Sequence, residues 1–127
     1  MTKVFVRFAR KEILDDKRLC EAITRAERGS IDADLGATLI KQRVPRPGGG
    51  RSGGYRTVIA YRASKRSVFL YGFAKNERDN IDDRELVDLK KLATQLLNYT
   101  DDQIATAVKR TELKEVCCYD QEKDWGG

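Results

Sequence analysis

Four cationic side chains stand at spacings that suit phosphate chemistry. Lys41 and Arg43 share one face of a strand-like run, Arg56 opens a second run, and Lys75 closes a third. A guanidinium pairs bidentately with phosphate oxygens, and an ammonium binds them as a point charge. The chain contains no histidine. Ser-His, Cys-His and two-histidine metal mechanisms are therefore excluded, and any catalysis must run on Lys, Arg, Tyr, Asp or Glu. Residues 35–76 hold Lys41, Arg43, Arg46, Arg51, Arg56, Arg62, Lys65, Arg66 and Lys75, with no acidic residue among them. The whole chain has 25 basic and 20 acidic residues, net +5, so this block carries the excess while residues 77–127 are net acidic. A one-sign field of this kind attracts polyanions and speeds their encounter.

Within the block, Pro45-Arg46-Pro47-Gly48-Gly49-Gly50-Arg51-Ser52-Gly53-Gly54 is a loop. Its letters match G-x-G-x-x-G, but a strand follows instead of a helix, so a dinucleotide site is rejected. Glycines let a backbone approach a ligand closely, and Arg43, Arg46, Arg51 and Arg56 surround these. That combination suits a phosphodiester backbone or an RNA loop. Tyr55, Tyr61, Tyr71 and Phe73 lie in the same strands. Aromatics there either stack on bases or fill the core, and their β propensity favours the core.

The elements that must position these residues are legible from periodicity. Lys3–Phe8 alternates and reads as a strand. Asp15 is an N-cap, with Leu14 and Leu19 at the spacing of a hydrophobic staple, for a helix over 16–28 that stops at Gly29. Leu39–Val44, Tyr55–Arg62 and Ser67–Ala74 read as strands, the last two joined as a hairpin through Ala63-Ser64-Lys65-Arg66. Asp82 with Glu85 caps a leucine-striped helix, and Thr100 with Gln103 caps a short last one. The expected class is α+β, a small antiparallel sheet in the order β-α-β-β-β-α-α. An antiparallel meander brings Arg43, Arg56 and Lys75 to the same end of the sheet, in one cationic cleft.

The remaining composition sets bounds. With 127 residues, 40 % hydrophobic and 35 % charged, the chain is one domain able to bury its own core. The longest uncharged run, Leu92–Thr100, is far short of the roughly 20 residues of a membrane span. The N-terminal residues lack the apolar stretch of a secretory signal, so the expected location is the cytoplasm. Cys20, Cys117 and Cys118 are odd in number and two are adjacent, so no disulfide framework and no zinc site is expected.

Ser52-Gly53-Gly54-Tyr55-Arg56-Thr57-Val58-Ile59-Ala60-Tyr61, then Phe69-Leu70-Tyr71-Gly72-Phe73-Ala74-Lys75-Asn76-Glu77-Arg78, then Ile81 and the leucine-rich helix, are similar to a known pattern. They resemble the RelE/ParE superfamily of bacterial type II toxins, most nearly its HigB-type RelE branch, over about residues 3–98. The resemblance implies a RelE-like toxin domain over 1–112, with 113–127 as a C-terminal tail. It implies a metal-independent endoribonuclease, without cofactor, that cuts mRNA in the A site of the translating 70S ribosome. It also implies silencing by a cognate antitoxin with a helix-turn-helix DNA-binding domain.

Residue by residue, Lys41 and Arg43 match a Lys-x-Lys pair of the family, and Arg56 matches the arginine that binds the scissile phosphate. A second family arginine falls on Asn76, preceded by Lys75, and the family's stacking tyrosine has no counterpart near Ile81, leaving Tyr71 or Phe73 for that role. The implied catalytic set is Lys41, Arg43, Arg56 and Lys75. The implied RNA-binding set is Arg46, Arg51, Tyr55, Tyr71, Phe73 and Asn76. A histidine-free site fits, because RNA carries its own nucleophile in the 2′-OH and needs an acid–base group and cations at the phosphate. Two other classes compete: a non-catalytic RNA- or ribosome-binding module on the same fold, and a ParE-like gyrase poison.

Overall fold

The computed structural model describes residues 1–45, 54–75 and 80–118. Helices α1 (Lys3–Glu12) and α2 (Asp16–Glu27) come first. Strands β1 (Ala33–Gly36), β2 (Leu39–Val44), β3 (Tyr55–Arg62) and β4 (Arg66–Ala74) follow, then helices α3 (Asp83–Asn98) and α4 (Asp101–Lys109). The strands form one antiparallel sheet in the order β1-β2-β3-β4. The architecture is the expected α+β class with a small antiparallel sheet.

The first element differs from expectation. Lys3–Phe8 is not a strand but the start of α1. Its apolar residues satisfy both periods over so short a window. Phe5 and Ala9, four apart, are buried with Phe8 packed beside them, which is a helical stripe. The Thr2 hydroxyl caps it, accepting from the Phe5 N–H at 3.3 Å. The second helix follows the expected signals. Asp15 accepts from the Arg18 N–H at 3.0 Å, and Leu14 and Leu19 are both buried. Both later helices carry complete capping boxes, Asp82 with Glu85 and Thr100 with Gln103.

Strand β1 was not expected. It is four residues long, joined to β2 through Gly36, Ala37 and Thr38, all at positive φ. Two consecutive non-glycine residues in that region are outside ordinary turn chemistry, which hides the hairpin from a sequence reading.

Each face of the sheet has its own core. Ile40, Val44, Tyr55, Ile59 and Phe69 pack against α1 and α2. Leu39, Val58, Ala60, Val68 and Leu70 pack against α3 and α4. A tie at the turn end joins the first layer to the sheet: the Glu27 carboxylate accepts from the Tyr61 hydroxyl at 2.5 Å and from the Ser64 N–H at 3.1 Å. The Tyr61 and Ser64 bonds hold the Glu27 carboxyl below its usual range. Burial, then the Glu27 contact, pushes the Tyr61 phenol up to about 12.

The cysteines also depart from expectation. Cys20 on α2 is disulfide-bonded to Cys118, with Cα atoms 5.7 Å apart, and only Cys117 is free. The strip after α4 returns across the molecule. Leu113 bridges to Thr2, the Lys114 N–H donates to the Met1 carbonyl at 2.8 Å, and the Cys117 N–H donates to Asp16 at 3.0 Å. Pairing across 98 positions is a product of the fold and has no spacing signature.

Candidate nucleic-acid interface

Strand alternation divides the expected site residues between the two faces. Leu39, Lys41 and Arg43 of β2 share a face with Arg56, Val58 and Ala60 of β3. Tyr71 and Phe73 of β4 stand on the same face, opposite Val58 and Arg56. Its lower half, at Leu39, Val58, Ala60, Val68 and Leu70, is buried under α3 and α4. Its upper half carries the cations.

Two cross-strand rows define this half. Arg43 stands directly opposite Arg56, and Arg56 opposite Phe73. One step down, Lys41 stands opposite Val58, and Val58 opposite Tyr71. Directly opposed side chains lie about 5 Å apart at Cβ, and like charges there repel. Among the described residues, no carboxylate pairs with Lys41, Arg43 or Arg56. An opposed, uncompensated arginine pair costs stability in the free protein and is relieved by an anion bound between the two guanidinium groups.

The backbone holding these residues is fixed from behind. Strand β1 begins at Ala33, opposite Lys41, so it offers Arg43 no partner. Side chains replace the missing strand: Asp32 accepts from the Arg43 N–H at 2.6 Å, and the Arg25 guanidinium donates to the Arg43 carbonyl. Asp32 and Arg25 also pair with each other at 3.4 Å. Between the two cations, Gln42 points the other way and is fully buried. Its amide nitrogen donates to the Ala22 and Ser30 carbonyls at 3.0 and 3.2 Å, and its oxygen accepts from the Asp32 N–H at 2.7 Å. A buried amide with its donors and acceptor satisfied pins β2 to the end of α2. On the open side, the Lys41 ammonium donates to Asn80 Oδ1 at 3.4 Å, and the same oxygen accepts from the Ile81 N–H at 2.9 Å.

The other expected residues are placed as follows. Lys75 is exposed just beyond β4, its N–H donating to the Gly54 carbonyl at 3.2 Å, at the end of the sheet where Arg43 and Arg56 lie. Tyr71 is half-buried and Phe73 is 4 % exposed, with ring centroids 6.2 Å apart. Tyr55 is not brought to the cations. It lies on the opposite face, 3 % exposed, edge-on to Phe8, with its hydroxyl donating to Glu12 at 2.8 Å. Arg46, Arg51 and Asn76 lie outside the described residues.

Sequence reasoning missed Asp32, Arg25 and Asn80, whose roles depend on the end of β1 and on the entry to α3. Gln42 had a signal, a polar residue at an inward position between Ile40 and Val44.

The chain as a whole has a counterpart among known families. The model of the RelE family, described as the RelE toxin of the RelE/RelB toxin-antitoxin system, matches residues 1–116. No curated protein and no solved structure gives a match. The family match spans nearly the whole chain, which therefore belongs to the RelE family of toxins of toxin-antitoxin systems.

Proposed function

We propose that this RelE-family chain is a ribosome-dependent endoribonuclease that cuts mRNA and so arrests translation. The observation that carries the reading is one end of a sheet face, where Lys41, Arg43 and Arg56 form no ion pair among the described residues and Arg43 opposes Arg56.

In the proposed reaction the 2′-OH of a ribonucleotide attacks the adjacent phosphorus. The P–O bond to the next 5′-oxygen breaks, leaving a cyclic 2′,3′-phosphate and a 5′-hydroxyl. Arg43 and Arg56 bind the non-bridging oxygens and stabilise the charge that grows on them. Lys41 serves in proton transfer, held in place by Asn80, and Lys75 adds a cation at the rim. Half-buried Tyr71, on the same face, is the aromatic assigned to a base contact, while Phe73, 4 % exposed, packs beside it as support. Such a set lacks a strong acid–base pair, so alignment of the message in the ribosomal A site supplies much of the acceleration. The partner expected of such a toxin is an antitoxin, here one with a helix-turn-helix DNA-binding domain, and both toxin and target belong in the cytoplasm.

The test is induced expression of the wild type and Arg56→Ala in a bacterium, with primer extension on a translated and an untranslated copy of one message. Arrest with cuts only in the translated copy, abolished by the substitution, is the expected result. Arrest without cuts contradicts the nuclease reading and favours a gyrase poison or a non-catalytic ribosome binder.

A further inference from the structure

The strip that follows α4 is anchored at both ends and lightly held between them. At Leu113 the anchor is burial and the bridge to Thr2. At Cys118 it is the disulfide to Cys20 of α2. Residues 114–118 belong to no helix or strand. Lys114, Glu115 and Cys117 are exposed, and Val116 is half-buried. The Lys114 N–H donates to the Met1 carbonyl at 2.8 Å, and the Cys117 N–H donates to Asp16 at 3.0 Å. The two bonded sulfurs differ in access. Cys20 is 1 % exposed, on the buried side of α2 with Leu19 and Ala22. Cys118 is half-buried and lines a cavity of about 610 Å³ together with Ile23, Phe69 and Val116. The third thiol, Cys117, is exposed and free.

We propose that Cys20 and Cys118 form a redox latch on this strip. Oxidised, the pair closes residues 114–118 against α2. Reduced, it lets them open while the sheet and the helices stay folded. With the bond intact, Cys118 cannot leave unless α2 gives up the buried position of Cys20. With the bond broken, opening costs the partial burial of Val116 and a few hydrogen bonds, which is a local event. The reductant is a small dithiol that enters through the cavity. One of its thiolates attacks Cys118 Sγ, the S–S bond breaks, and Cys20 Sγ leaves as a thiolate and takes a proton from water. The second thiol of the reductant gives up its proton and attacks the mixed disulfide. Cys118 leaves as a thiolate and is protonated in turn. The chain gains two electrons and two protons, and the dithiol becomes a cyclic disulfide. A small disulfide takes the two electrons back through the reverse sequence. Disulfides in a reducing compartment are mostly transient or sensing. In the cytoplasm proposed above, the latch therefore stands open and closes on oxidation. The latch itself rests on the strip and the cysteine pair, not on the nuclease reading.

Amide hydrogen exchange followed by NMR on the full chain tests it, with the protein oxidised by oxidised dithiothreitol or reduced by dithiothreitol. Maleimide labelling after denaturation is expected to find one thiol in the oxidised chain and all three in the reduced chain. On reduction the Lys114 and Cys117 amides are expected to exchange at least about tenfold faster, at times when the β3 amides are still unexchanged in both forms. Cys118→Ser is expected to exchange like the reduced chain under either condition, and Cys117→Ser to keep the wild-type response. Unchanged exchange of the strip on reduction overturns the proposal. So does a strip that loses protection only in step with β3, which makes the bond a staple of the whole fold. A response that survives Cys118→Ser, or three free thiols after oxidation, also overturns it. No ribosome or message enters the measurement, so failure of the latch and failure of the nuclease reading give separate results.

Discussion

One face of the sheet does two different things along the same strands. At its lower half Leu39, Val58, Ala60, Val68 and Leu70 are sealed beneath α3 and α4. At its upper half Lys41, Arg43 and Arg56 continue the same alternation, half-buried or exposed, and form no ion pair among the described residues. The change from apolar to cationic occurs inside β2 and inside β3, within two or three residues. The lower half supplies stability by removing apolar surface from water. The upper half gives some of that stability back through like-charge opposition, and its geometry is kept by contacts on the reverse face at Gln42, Asp32 and Arg25. Stability and proposed chemistry are thus separable along a strand, and substitutions should affect one without the other.

The largest separation is expected at the cationic half. Arg56→Ala should lower message cleavage about a hundredfold to a thousandfold, the loss typical of one transition-state charge contact. Its unfolding free energy should stay within about 0.5 kcal/mol of wild type, as for a surface change. Single-turnover cleavage beside a urea melt reads both quantities. The covered half should give the reverse. Leu70 is 2 % exposed, and Leu70→Ala should cost about 2–5 kcal/mol in a chemical denaturation curve. Its cleavage rate per folded molecule should be unchanged.

Two smaller effects lie away from this face. Cys118→Ser removes the tie between the returning strip and α2, which closes a loop of 98 residues. Under oxidising conditions it should cost about 2–4 kcal/mol, and the difference should vanish in dithiothreitol. A difference that persists under reduction would show that packing of the strip, not the covalent link, is responsible.

The smallest effect is at the turn end, where Glu27 holds Tyr61 and Ser64. The folded-state pKa of Glu27 is depressed. Its contribution is therefore complete above its unfolded pKa and lost as pH falls through the folded one. Tyr61 is raised to about 12 from 10.0, so its neutral form contributes fully below 10.0 and the contribution disappears on passing about 12. Glu27→Gln should lower stability slightly at neutral pH and flatten the acid limb of a stability–pH profile measured by melting, the two proteins converging in acid.

Much of this arrangement was legible beforehand. The caps at Asp15, Asp82 and Thr100 mark helix starts because side-chain oxygens satisfy otherwise unpaired N–H groups, a local effect. Strand β2 runs Leu39–Val44 as read, and the meander brings Arg43 and Arg56 together as expected. The alternation that separates Arg56 from Tyr55 was equally visible, and it removes Tyr55 from the cationic face. What stayed hidden depends on distant parts of the chain or on ambiguous windows. Lys3–Phe8 fits both periods, and burial of Phe5 beside Phe69 settles it as helix. The short β1 leads into a turn whose two residues at positive φ after Gly36, Ala37 and Thr38, are not turn types. Asn80 beside Lys41 and Cys118 beside Cys20 meet only after the sheet and helices have packed.

The most direct test of the divided face uses purified chain, programmed ribosomes and a defined message. Wild type, Lys41→Ala, Arg43→Ala, Arg56→Ala and Leu70→Ala are compared for cleavage rate and thermal midpoint on the same preparations. The account predicts that the three cation substitutions abolish or strongly reduce cleavage at an unchanged or slightly raised midpoint, while Leu70→Ala lowers the midpoint and spares the rate of the folded fraction. Full cleavage by Arg56→Ala, or losses of cleavage that track the midpoint across all four variants, would contradict it.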